Sequence, residues 1–115
     1  MAISVTMVAF NCNFLDYAIE AAIRSSLTYA DEVVINEGMG ADDTYETLIA
    51  LQEEFGKDVI RLYRRRWHHD RGWQERERNF AIDQAKGDWL VIQDADDCFH
   101  EKDADQIKAI CADDN

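Results

Sequence analysis

An open α/β sandwich on a mainly parallel sheet is the fold that the sequence predicts, and three features point to it. Four short apolar runs rich in β-branched residues alternate with segments whose apolar residues recur at helical spacing. Glycine or Asn/Asp clusters mark the junctions, and proline is absent. Strands separated by helices of about ten or more residues join through right-handed crossovers, which makes them parallel and places helices on both faces.

The first strand is expected over residues 3–10, where a β-branched, apolar run ends at Asn11-Cys12-Asn13. Residues 14–27 read as a helix: Phe14, Leu15, Ala18, Ile19, Ala22, Ile23 and Leu27 share one face, while Asp16, Glu20 and Arg24 take the other. A second strand over 32–35 is closed by Gly38-Met39-Gly40. Asp42-Asp43-Thr44 then supplies capping chemistry for a helix through Leu48, Leu51 and Phe55, stopped by Gly56. A third strand over 59–63 leads through a polar connection into a helix over 73–86, ended by Gly87. The fourth strand is 89–93, followed by Asp94-Ala95-Asp96-Asp97 and a last helix over 102–111.

The chain has 115 residues, enough for one domain with one core, and its 47% hydrophobic and 31% charged composition excludes disordered and collagen-like classes. No linker composition divides it, so residues 1–115 form a single domain. Its apolar runs are too short to span a membrane, and Met1 to Thr6 lacks the basic and apolar regions of a secretory signal, so the expected location is cytoplasmic. Cys12, Cys98 and Cys111 are odd in number and widely spaced, as expected of reduced thiols rather than a disulfide framework or a structural zinc site.

A net charge of −12 repels nucleic acid and anionic membranes. Within that acidic chain, residues 61–78 carry seven arginines (61, 64, 65, 66, 71, 76 and 78) against Asp70, Glu75 and Glu77. A local basic strip of this kind suits a small anion such as a phosphate, and equally a solvated arginine face.

Ligands of open parallel sheets bind beyond the carboxyl ends of the strands. The loops there hold Asn11, Asn36-Glu37-Gly38, the arginine-rich residues 64–72, and Asp94 to Asp97. Clustered carboxylates repel one another unless a cation neutralises them, and a set of hard oxygens without His or Cys favours Mg²⁺ or Mn²⁺. An acidic cap on the following helix is the simpler explanation of such a cluster. Its place after a buried strand, opposite a basic strip, favours the metal, with Asp94, Asp96 and Asp97 as ligands. Trp67 and Trp73 suit either a ligand pocket or packing. No P-loop, dinucleotide fingerprint or nucleophile elbow is present.

Residues 78–97, RNFAIDQAKGDWLVIQDADD, resemble the RN-x₇-GDW-x₄-DADD stretch of family 2 glycosyltransferases with the Rossmann-like GT-A fold. Ala30 to Ile35 is similar to that family's ADEIVVVDSGS segment. Trp67 with Gly72-Trp73-Gln74 is similar to a feature of the lipopolysaccharide-core glucosyltransferase branch. The resemblance implies a nucleotide-diphosphate sugar as donor, with a UDP-sugar favoured and the base near the loops after strands one and two. Val8, Phe10, Asn11 and Gly38 would line that region, Glu37 would accept the N3 hydrogen of uracil, and Asn36 stands where Asp is usual. Arg78 would approach the diphosphate, and Asp94, Ala95 and Asp96 would meet the ribose and metal, with Asp97 beside them.

The function expected is metal-dependent, inverting transfer of a sugar to an acceptor hydroxyl of a saccharide or lipid-linked acceptor. The resemblance implies a general base from a segment beyond the DxD strand, and no residue after Asp97 suits that role. The chain is therefore expected to be truncated after the DxD strand and one helix, lacking the acceptor half, either as a fragment or as a short form that binds donor without complete catalysis. The apolar surface left by such a cut predicts self-association into a homo-oligomer. A metal-dependent nucleotidyltransferase and a non-catalytic donor-binding or assembly module are the rival readings.

Overall fold

Ile3, Val5, Met7 and Ala9 alternate along one side of the first strand, β1 (Ile3–Ala9), and are almost wholly buried, whereas Ser4 and Thr6 face the other way. This division organises the molecule. The computed structural model describes residues 2–13, 18–94 and 101–112, the last segment with side chains from residue 105.

The elements follow as α1 (Ile19–Ser26), β2 (Glu32–Glu37), α2 (Thr44–Phe55), β3 (Ile60–Arg64), α3 (Trp73–Gln84), β4 (Trp89–Ile92) and α4 (Glu101–Ala112). The sheet has the order β3-β2-β1-β4, and every neighbouring pair is parallel. Val5 registers with Val33 and Val91, and Val33 in turn with Ile60, so one sheet face is lined by aliphatic residues. Ile19 and Ile23 of α1, Leu48 and Leu51 of α2, and Cys111 of α4 complete that core. The predicted α/β class is the observed one.

The opposite face, under α3, is unusually polar. Ser4 Oγ donates to Glu32 Oε2 at 2.6 Å, and the Lys86 backbone N–H donates to the same oxygen at 2.7 Å. Arg61 Nη1 donates to Glu32 Oε1 at 3.1 Å and to the Gln84 carbonyl. Burial pushes the Glu32 carboxyl up, but these donors outweigh it and hold the group below its ordinary range. The network ties the end of α3 and the turn into β4 to the sheet. Gly87 is needed in that turn, because a Cβ there would stand 2.5 Å from Ser4 Oγ and 2.9 Å from the Ala2 carbonyl oxygen. Among the described residues no buried side-chain nitrogen or oxygen lacks a hydrogen-bond partner.

Two boundaries differ informatively from expectation. β2 runs through Asn36 and Glu37, past the end of its apolar stretch, because both residues pair with β1 and β3 and both buried side chains find partners, Glu77 for Asn36 and Arg64 for Glu37. Helix α1 spans only eight residues, and residues 14–17 of the expected 14–27 helix lie outside the described residues. On β4, Leu90 and Ile92 remain 42% and 62% exposed on the side shared with α3. No helix among the described residues is long and apolar enough to cross a membrane.

Candidate functional site

All four strands end on one edge of the sheet, so Phe10, Asn36-Glu37, Arg64 to Trp67 and Gln93-Asp94 arrive there together with the first turns of α3. A cleft of about 300 Å³ opens at that edge, lined by Val8, Phe10, Trp67, Trp73, Gln74, Glu77 and Arg78. A narrower space of about 10 Å³ lies beside it, against Thr6, Val8, Arg78, Ala81, Ile92 and Asp94. Val8 and Arg78 border both.

The cleft has an aromatic wall. Phe10 and Trp67 stack with ring centroids 5.6 Å apart, and Trp67 meets Trp73 at 5.7 Å. His69 extends the series, 4.4 Å from Trp73 and edge-on to Phe10. Gly38 lies directly behind Trp67: a Cβ at position 38 would come within 2.5 Å of the indole Cδ2. The backbone just past β2 and the ring can touch only because that position is glycine.

Beneath the wall sits a buried polar cluster. Asn36 and Glu77 are 0% and 2% exposed. Asn36 Nδ2 donates to both the backbone carbonyl and Oε1 of Glu77, each at 3.0 Å, while its Oδ1 accepts the Trp67 indole N–H at 3.2 Å. Arg65 Nε donates to Glu77 Oε1 at 2.9 Å, and Arg76 Nε approaches Oε2 at 3.4 Å. Burial pushes the Glu77 carboxyl up, yet Arg65, Asn36 and Arg76 together hold it below its ordinary range. Glu37 is likewise fully buried, accepting from Arg64 Nε at 2.9 Å and from the Gly40 backbone N–H at 2.8 Å.

The sequence-predicted residues thus divide into two groups. Val8, Phe10, Arg78 and Asp94 line the open spaces. Asn36 and Glu37 are enclosed behind them, with their polar groups joined to protein partners. Asn11, at φ 49°, shapes the adjoining loop by accepting the Ala41 N–H at 2.8 Å. Ala95, Asp96 and Asp97 lie outside the described residues, so Asp94 is the described member of the expected metal set. Its exposed carboxylate is a hard oxygen donor of the kind Mg²⁺ or Mn²⁺ accepts. No group of three or more His, Cys, Asp or Glu side chains converges among the described residues.

The arginine strip is also divided. Arg61, Arg64, Arg65 and Arg76 form ion pairs with Glu32, Glu37, Glu77 and Asp70. Arg78 has no hydrogen-bond or ion-pair partner among the described residues, and it stands at the cleft mouth. Sequence reasoning missed Glu77 as the hub of the cluster, counting it only as a charge. A signal existed: it lies four residues before the buried Ala81, on the inward side of α3.

Comparison with known proteins accords with this fold. Residues 4–115 match the family described as Glycosyl transferase family 2. No curated protein matches the chain in sequence. Among solved structures, the chain is similar to S. aureus TarS 1-349, at TM-score 0.71 and 20% identity over 97% of this chain. The same values describe the complex of TarS 1-349 with UDP. For the longer TarS structure the TM-score is 0.66 at 21% identity over 96% of this chain. The chain spans 32% of the TarS 1-349 chain and 20% of the longer one.

Proposed function

Since the chain belongs to glycosyl transferase family 2, we propose that its strand-end cleft binds the nucleoside diphosphate of a sugar-nucleotide donor, with UDP as the favoured nucleotide. The observation that carries this reading is the position of Arg78, an arginine without a protein carboxylate among the described residues, between an aromatic-walled cleft and the space beside Asp94. A planar base finds a stacking surface along Phe10 and Trp67. The diphosphate then lies toward Arg78, whose guanidinium offers charge-assisted hydrogen bonds to phosphate oxygens. The bound UDP of the TarS structure supports the choice of nucleotide.

Asp94 and Asp96 are proposed to hold a divalent cation, with Asp97 beside them. When bound, the ion would offset the negative charge of the diphosphate. This chain's own residues do the rest of the binding: Arg78 faces the phosphates, the aromatic wall orients the nucleoside, and the buried Glu77 cluster keeps that wall in place. For the whole protein we propose transfer of the sugar to an acceptor hydroxyl with inversion. The finer likeness to the lipopolysaccharide-core branch rests on Trp67 and Gly72-Trp73-Gln74.

Calorimetric titration of the chain with UDP, in Mn²⁺ and in EDTA, tests the reading. Saturable binding that tightens with Mn²⁺ supports it. Absence of UDP binding under both conditions overturns it.

A further inference from the structure

The Trp67 ring lines the cleft beside Phe10 and Trp73, but its indole N–H donates inward, to the fully buried Asn36. Asn36 is fully buried, and its amide orientation is set by chemistry rather than by space. Both acceptors of Nδ2 belong to Glu77, which is ionised beside Arg65 and Arg76. A flipped amide would turn its carbonyl oxygen against that carboxylate, so Oδ1 must point the other way. There it meets the indole N–H. The same ring is pressed against the backbone at Gly38 and flanked by Phe10, just past the end of β1, and by Trp73, the first residue of α3.

We propose that Asn36 is a positioning residue for the nucleotide cleft that acts through Trp67. Its amide couples Glu77 to the indole and so fixes the plane of the aromatic wall. The proposal rests on the reading of the cleft as a nucleotide site. An amide is what the position requires: aspartate keeps the acceptor for the indole and loses the donor to Glu77, and leucine or alanine loses both.

The test combines a double-mutant cycle with hydrogen exchange. At 13.3 kDa the chain is small enough for NMR to follow the Trp67 indole N–H, identified by its loss in Trp67→Phe. Asn36→Ala is expected to weaken UDP binding about three- to tenfold, the value of one lost hydrogen bond. In a Trp67→Phe background the same substitution is expected to change affinity by less than about twofold, since the group it acts through is gone. The indole N–H should exchange faster in Asn36→Ala than in the wild type, and remain protected in Asn36→Asp. Additive losses in the cycle, or equal exchange in wild type and Asn36→Ala, overturn the proposal. Should Asn36→Ala not fold, Asn36→Asp decides, because an unprotected indole there means that the acceptor at 36 does not hold the ring. If wild type binds no UDP, the nucleotide reading fails separately, and indole exchange still settles whether Asn36 holds Trp67.

Discussion

Arg65 and Glu77 form the joint between the β3 loop and α3: Arg65 Nε lies 2.9 Å from Glu77 Oε1 while its guanidinium carbon sits 3.9 Å over the Phe80 ring. Glu77 is nearly inaccessible and Arg65 is about one-third exposed, so the pair borders solvent on one side only. Removing the arginine leaves a buried carboxylate with weaker support. Arg65→Ala is expected to destabilise the fold by about 1–2 kcal/mol, a figure already reduced for the arginine's exposure. Urea denaturation of the variant against wild type measures it, and a change near zero would show that Arg76 and Asn36 suffice.

Acid should unfold the protein through its buried carboxylates. Glu32 and Glu77 both lie below their ordinary value in the folded state. Each therefore contributes stability that is present above the unfolded value and lost as pH falls through the lower folded one. Glu77→Gln and Glu32→Gln should each flatten the loss of stability on acidification below about pH 5. Unchanged slopes in both variants would mean that other carboxylates carry the effect.

Alkali acts on a different group. Burial pushes the Tyr29 phenol up to about 12, and its hydroxyl donates to Gln93 Oε1 at 3.0 Å. A raised value means stability that is complete below the ordinary value of 10.0 and lost as pH rises through about 12. Tyr29→Phe should remove that alkaline loss while lowering stability by about 1 kcal/mol at neutral pH, the net value of one hydrogen bond. Thermal unfolding at neutral and alkaline pH compares the two.

Much of the architecture was legible from residue patterning, because the aliphatic face of the sheet follows strand alternation at Ile3, Val5, Met7, Val33 and Ile35. The polar face was not. Its residues, among them Ser4, Glu32, Asn36 and Glu77, are buried by virtue of partners distant in sequence, and no local period reports a hydrogen bond across 41 residues. For the same reason the arginine strip looked uniformly available, although four of its members are tied to buried or neighbouring carboxylates. Val8, Phe10, Arg78 and Asp94 could be placed from the strand-end rule and the family resemblance. The structural use of Asn36 and Glu37 could not.

Gly38 should tolerate no side chain. A Cβ there meets three atoms of the Trp67 ring between 2.5 and 2.8 Å, so Gly38→Ala must move the ring or the backbone that follows β2. The expected cost is about 1–3 kcal/mol, with loss of UDP binding beyond what stability explains. Denaturation and calorimetry on the same variant separate the two effects.

Arg78→Ala should weaken UDP binding about ten- to hundredfold, as expected for charge-assisted hydrogen bonds to phosphate, while leaving the melting temperature and uridine binding nearly unchanged. Equal losses for uridine and UDP would instead give Arg78 a role in the fold. In parallel, Asp96→Ala should abolish the difference in UDP affinity between Mn²⁺ and EDTA.

Titration of the ¹⁵N-labelled protein with UDP in Mg²⁺, mapping the amide and indole shifts, tests whether the strand-end cleft is a nucleotide site. Saturable changes are expected at Val8, Phe10, the Trp67 indole, Arg78 and Asp94, with the helix α2 surface unmoved. Shifts confined to other surfaces, or none at UDP concentrations that saturate a millimolar site, would contradict it.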